Sequence, residues 1–299
     1  MDISGKKIVF EGVATALITP MRDGRVDYDS LGVLIDRQIG LGADAVVICG
    51  TTGEAPVLDD GEHKECIRFA VERAAGRIPV IAGTGSNDTR HAIEMSGYAA
   101  AVGADAILCV TPYYNKATSE GLVRSYLAIA DSTDCPMILY NVPSRTGVSL
   151  TVPVLRRLAA HERIVALKDA SGDVSLSADI MSELGGSLML YSGNDELTLP
   201  LLSVGASGVI SVVSNLVPQE MHDIWELYRH GRHGEARRLQ MRLMPLIRSL
   251  QSEVNPIPVK TACAMLGLCG NEMRLPLCGM DEDHRAHLSR VMSEFGLIG

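Results

Sequence analysis

Ala45-Val46-Val47-Ile48-Cys49, followed at once by Gly50-Thr51-Thr52-Gly53-Glu54 and then by the helix-period stretch Gly61–Ala75, is the unit whose reading decides the fold. The first five residues are apolar throughout instead of alternating, as in a parallel strand covered on both faces. The same unit recurs along the chain. Its apolar runs are Val13–Thr19, Ala45–Cys49, Ile78–Ala82, Ala106–Val110, Met137–Tyr140, Ile164–Leu167, Leu188–Tyr191 and Gly208–Val212. Helix-period segments lie between them, among them Tyr28–Leu41, Asp88–Val102 and Glu120–Asp131, with Asp27, Asp88 and Ser119 as candidate caps. Eight βα units in about 220 residues predict an α/β fold of the (β/α)8 TIM-barrel type. A doubly wound open sheet is the rival, but Gly83-Thr84-Gly85 lacks the third glycine of a dinucleotide turn and follows the third strand. Residues 1–230 are therefore expected to form a catalytic barrel and 231–299 a C-terminal helical domain. The latter rests on Arg232–Leu250, Pro256–Leu266 and Asp281–Phe295, with Leu239, Leu243, Leu246, Ile247 and Leu250 at helical spacing.

The 299 residues are 46% hydrophobic and 21% charged, the balance of a globular chain rather than a disordered one. The net charge of −9 argues against nucleic acid as a partner, which needs clustered Lys and Arg. The apolar runs are too short to span a membrane, and Met1–Lys7 has no stretch of signal-peptide length, so a cytoplasmic protein is expected. The seven cysteines form no CxxC pair and read as small buried hydrophobes. His230 and His233 sit beside Arg229 and Arg232 with no carboxylate-rich cluster, so no metal is expected.

In such barrels chemistry is carried at the C-terminal ends of the strands. Those ends hold Gly50–Glu54, Gly83–Ser86, Thr111–Asn115, Tyr140–Gly147 and Leu167–Ser171. Of only six lysines, Lys168 alone ends an apolar strand. A desolvated lysine there is an amine nucleophile, and its attack on a ketone gives an imine that acidifies the adjacent carbon. The alternative is an ammonium reaching solvent beside Asp169. Thr51 and Thr52, between glycines, suit a small carboxylate; a plain hydroxyl-capped loop is the alternative. Tyr113, Tyr114 and Tyr140 offer a proton relay or an amphipathic rim. Arg145 is a candidate bidentate clamp for a second carboxylate, or a surface ion pair. Glu54 is expected to hold the Gly-Thr-Thr-Gly turn rather than to act as an acid.

Taken in order and spacing, Leu17-Ile18-Thr19-Pro20, Gly50–Glu54, Ile78–Gly85, Val110–Asn115, Ile138–Gly147, Gly208–Val212 and Asn255–Lys260 are specific. On these residues the chain resembles the dihydrodipicolinate synthase (4-hydroxy-tetrahydrodipicolinate synthase) family, part of the pyruvate-dependent class I aldolases. The resemblance implies Lys168 as the Schiff-base lysine for pyruvate and Tyr140 as the proton donor and acceptor beside it. It further implies a relay of Thr51, Tyr140 and Tyr114, the last reaching a neighbouring subunit. Thr52 and the backbone of Ile210 would hold the pyruvate carboxylate, and Arg145 that of L-aspartate 4-semialdehyde. The implied product is (4S)-4-hydroxy-2,3,4,5-tetrahydrodipicolinate, in lysine (diaminopimelate) biosynthesis, with no cofactor and a homotetramer built as a dimer of dimers. A lysine-binding cleft of feedback-inhibited relatives corresponds to positions 55, 56, 60, 63, 87, 91 and 113. His91 stands there in place of a glutamate, so weak lysine inhibition is expected, with Asp60 a partial substitute. Two other readings stand beside this one. A neuraminate lyase or keto-deoxy-sugar aldolase would use the same lysine, although Pro143–Gly147 with Tyr113-Tyr114 suits a short charged aldehyde better. A catalytically silent barrel would not need the full set of Lys168, Tyr140, Tyr114, Thr51 and Arg145.

Overall fold

The computed structural model describes residues 5–299, so the expectation placed on the first four residues lies outside the described residues. Strand β1 (Gly12–Ala16) is followed by a small antiparallel hairpin, β2 (Met21–Arg22) and β3 (Arg25–Val26). Then come β4 (Ala45–Ile48), β5 (Val80–Gly83), β6 (Ala106–Val110), β7 (Met137–Asn141), β8 (Ile164–Asp169), β9 (Met189–Ser192) and β10 (Gly208–Ser211). Apart from the hairpin, these strands are parallel and form a closed barrel in which β1 pairs with both β4 and β10. Around it lie α1 (Tyr28–Gly40), α2 (Asp60–Ala74), α3 (Thr89–Ala101), α4 (Ser119–Asp131), the short α5 (Pro143–Thr146), α6 (Val152–Ala159), α7 (Val174–Leu184), α8 (Thr198–Ser203) and α9 (Pro218–Arg229). Three further helices, α10 (His233–Ser249), α11 (Ile257–Met265) and α12 (Glu282–Glu294), complete the chain, with α10 packed on α9 and α12.

The unbroken apolar runs have a direct cause. Every residue of the eight barrel strands is buried except Val110, because one face meets the barrel interior and the other meets helices. Alternate residues divide between two cores. Val46, Ile48, Ile107, Cys109, Leu139 and Leu167 face the helices, while Ala45, Val47, Ala106, Leu108, Ile138 and Ala166 fill the interior. Cys49, Cys66, Cys109, Cys135 and Cys263 are buried free thiols, as expected; Cys269 is half-buried and Cys278 exposed.

Caps and boundaries shift from expectation at several elements, and three of the shifts have a visible cause. Asp27 and Asp88 cap α1 and α3, but α4 is capped by Thr118, whose hydroxyl accepts from Gly121 N at 3.2 Å, and Ser119 is already helical. β1 stops at Ala16 rather than Thr19. There the Asn215 side chain takes over, Nδ2 donating to Ala16 O (2.7 Å) and Oδ1 accepting from Ile18 N (3.3 Å). β8 runs two residues beyond Leu167, because Lys168 and Asp169 stay in register with Tyr140 and Asn141 of β7.

Candidate active site

Lys168 is inside the last turn of the ladder, not beyond it, and strand parity sends its side chain into the barrel with only 6% exposure. Its neighbour in register, Tyr140, presents its ring face to the Nζ, 4.3 Å from the ring centroid. Among the described residues no carboxylate pairs with this amine. Asp169 points the other way, where it accepts from Asn141 Nδ2 (2.9 Å), Ser171 N (3.2 Å), Ser171 Oγ (2.8 Å) and Ser177 Oγ (2.9 Å). The alternative of a solvated ammonium beside Asp169 is therefore not what the fold builds.

The turn after β4 supplies the second element. Gly53 N donates to Gly50 O (3.1 Å), Glu54 N to Thr51 O (3.1 Å), and Thr19 Oγ1 to Gly53 O (2.7 Å). Glycines of β5 and its exit let this turn pack: a Cβ on Gly83 would lie 2.2 Å from Cys49 O, and one on Gly85 2.4 Å from Val110 N. Glu54, at φ 54°, holds the turn as expected. Its buried carboxylate accepts from Lys260 Nζ (2.5 Å) and from Arg274 N (3.4 Å), and both side chains of the Glu54–Lys260 pair are fully buried. Arg274 also pairs with Glu62 in α2 (2.5 Å) and holds that carboxyl below the usual carboxylate range.

The third element is Arg145, carried by α5 and exposed at the rim. The helix is pinned from below by Thr111 Oγ1 donating to Thr146 Oγ1 (2.9 Å), and Arg145 Nη2 donates to Asn255 O (3.3 Å). Asn255 Nδ2 in turn donates to Thr52 Oγ1 (3.0 Å). Lys168, Thr51, Thr52, Tyr140, Arg145 and Asn255 line one cavity of about 350 Å3. Asp195 forms part of its wall and braces the exit of β10, accepting from Val212 N (3.1 Å) and Val213 N (2.8 Å) through Oδ2; burial pushes its carboxyl upward. A second cavity, about 380 Å3, shares Thr51, Tyr140 and Arg145 and continues to Asp60, His63, His91 and Tyr113. His63 donates from Nε2 to Gly83 O (2.8 Å), and burial pushes its imidazole below the usual value. Among the described residues no group of three His, Cys, Asp or Glu could hold a metal ion. An amine, two hydroxyls, a phenol and a guanidinium around one cavity can bind two carboxylates and form an imine between them.

Residues 9–295 match the Dihydrodipicolinate synthetase family. The 4-hydroxy-tetrahydrodipicolinate synthase of Pelobacter propionicus is 47% identical over 290 residues, 97% of this chain and 100% of that one. The chain belongs to this family. The dihydrodipicolinate synthase of Acinetobacter baumannii in complex with pyruvate superimposes with a TM-score of 0.94 at 42% identity, covering 96% of this chain and 99% of that one. The lysine-bound enzyme of Cyanidioschyzon merolae gives 0.95 at 40% identity, covering 98% and 100%.

Not every residue implied by the dihydrodipicolinate synthase resemblance is brought to the cavity. Tyr114 lines neither cavity; it is 92% exposed, with a left-handed φ of 72°. Among the described residues, the hydroxyls of Thr51, Tyr140 and Tyr114 make no hydrogen bonds with one another. Ile210 is buried in the barrel interior and does not line the cavity; Val212, just past the end of β10, reaches the lining instead. Of the cleft positions, Ala55, Pro56, Asp60, His63, His91 and Tyr113 share the second cavity, while Asn87 is outside its lining. Sequence reasoning had no role for Lys260, Asn255, Asp195 or Arg274. One signal for Lys260 was available: it sits in Ile257–Met265, an otherwise uncharged helix, where a charge must find a buried partner.

Proposed function

We infer that this chain condenses pyruvate with L-aspartate 4-semialdehyde to (4S)-4-hydroxy-2,3,4,5-tetrahydrodipicolinate and water, in lysine (diaminopimelate) biosynthesis. The observation that carries the mechanism is Lys168, buried and without a carboxylate partner, facing a cavity lined by Thr52 and Arg145. Lys168 attacks the pyruvate ketone, whose oxygen leaves as water, and the imine loses a proton from its methyl carbon to become an enamine. Thr52, assisted by Thr51, holds the pyruvate carboxylate; Arg145 holds that of the semialdehyde. The enamine carbon bonds to the aldehyde carbon, and the aldehyde oxygen takes a proton through Tyr140. The product's amine then attacks the imine carbon, closes the ring and expels Lys168. The lysine imine is itself the electron sink, so no cofactor enters this mechanism.

The exposed, left-handed Tyr114 supports a relay completed between copies in a homotetramer built as a dimer of dimers. Among the described residues no helix is long and apolar enough to cross a membrane, and we place the reaction in the cytoplasm. His91 Nε2 lies 3.7 Å from Asp60 Oδ1, so the carboxylate that could replace a glutamate in this cavity is shared with an imidazole. Lysine inhibition is accordingly weak, and strong submillimolar inhibition in a titration of turnover would refute that.

The decisive experiment is trapping with pyruvate and borohydride, followed by a panel of aldehydes. A reduced three-carbon adduct at Lys168 and turnover with aspartate semialdehyde, not with sugar aldehydes, are the expected results. An adduct at another lysine, or preference for a polyol aldehyde, overturns the reading.

A further inference from the structure

Asn255 joins the two anion-binding groups of the cavity, although it lies in the connection between α10 and α11, far along the chain from both. Its side chain donates to Thr52 Oγ1 (3.0 Å), and its main-chain oxygen accepts from Arg145 Nη2 (3.3 Å). We propose that Asn255 is a positioning residue for pyruvate, which turns the Thr52 hydroxyl so that its proton faces the cavity. The inference rests on the reading of Thr52 as holder of the pyruvate carboxylate.

A threonine hydroxyl carries one proton and two lone pairs. With Asn255 Nδ2 donating into one lone pair, the Thr52 proton is not spent on Asn255, and among the described residues it has no other acceptor. Thr52 is 3% exposed and lines the cavity, so what remains for that proton is a ligand. A carboxylate accepts and never donates, so a hydroxyl whose proton is committed elsewhere would repel it. The other end of the amide does not compete, because Asn255 Oδ1 is buried and accepts no hydrogen bond. The placement is held from both sides. α11 begins two residues later and is tied through Lys260 to Glu54, two residues after Thr52, so the amide and the hydroxyl are fixed relative to each other. Arg145 uses only the main-chain oxygen of Asn255, which no substitution removes. Side-chain changes therefore act on one substrate and spare the other.

The test is the pyruvate dependence of borohydride trapping at Lys168 in wild type, Asn255→Asp and Asn255→Ala, with KM for the semialdehyde and kcat measured beside it. Asn255→Asp keeps the shape but replaces the donor by an acceptor, which draws the Thr52 proton away from the cavity. It should raise half-saturating pyruvate by about 10- to 100-fold, and Asn255→Ala, which frees the hydroxyl, by about 2- to 10-fold. kcat at saturating pyruvate and KM for the semialdehyde should stay within about twofold in both, as expected for a loss of ground-state binding to one substrate. Wild-type pyruvate dependence in Asn255→Asp would overturn the proposal. So would equal damage to both substrates in Asn255→Ala, which marks a mere wall residue and settles the matter even if Asn255→Asp does not fold. Absence of any Lys168 adduct in wild type would instead refute the Schiff-base reading itself.

Discussion

Two lysines lie buried on either side of the same turn, and they are used in opposite ways. Lys260 is fully buried in α11, its Nζ bonded at 2.5 Å to the carboxylate of Glu54, and it lines neither cavity. Lys168 is nearly as buried, but it faces a cavity, with the Tyr140 ring 4.3 Å from its Nζ and, among the described residues, no carboxylate partner. Burial alone marks neither as reactive. A carboxylate partner without access makes a strut between the turn after β4 and the C-terminal helices, whereas access without a carboxylate leaves an amine for chemistry.

The largest test of that contrast is Lys168→Ala. Turnover should fall by about 1,000-fold or more and the pyruvate adduct should vanish, while the thermal midpoint changes little. Intact turnover, followed by a coupled assay and mass spectrometry, would erase the distinction. Lys260→Met should do the reverse. It leaves Glu54 buried and uncompensated, at a cost of about 3–5 kcal/mol in urea unfolding, part of which is recovered on adding Glu54→Gln. A loss below 1 kcal/mol would mean the pair is no strut.

Arg145→Ala sharpens the contrast at the exposed end of the site. A charge-assisted pair to the semialdehyde carboxylate is worth about 1.5–3 kcal/mol, so kcat/KM for that substrate should drop by about 10- to 100-fold. Half-saturation of pyruvate trapping should not move; equal damage to both steps would remove the clamp assignment. The smallest effect is expected at Glu62–Arg274, a more open ion pair between the same regions as Lys260–Glu54. The Glu62 carboxyl is held below its usual range, chiefly by the Arg274 hydrogen bond. Its stabilisation is complete above the unfolded value of about 4.3 and is lost as pH falls through the lower folded value. Glu62→Gln should make acid unfolding shallower over that window, and parallel curves for the two proteins would count against it.

The barrel was legible because its cause is local. A strand covered on both faces must be apolar at every position, and the eight runs show it to within a few residues. The ends were less legible, since they are set by distant side chains: Asn215 ends β1, and the register with β7 carries β8 through Asp169. Lys168, Thr51, Thr52, Tyr140 and Arg145 could be found from the rim positions of a barrel. Asn255 and Lys260 could not be placed that way. Each acts through a partner more than 200 residues earlier in the chain, and no periodicity carries such a pairing.

One feature of β8 sets a limit on how this chain can change. Lys168 and Asp169 are consecutive, one turned into the barrel and one out toward the helices, where four hydrogen bonds receive it. Whether a residue meets the cavity there is a matter of odd and even. The connection before the strand can gain or lose residues and leave the amine where it is. A single codon lost between positions 164 and 167 would turn Asp169 into the barrel at the place of Lys168 and strand the amine among helices, with both side chains still encoded.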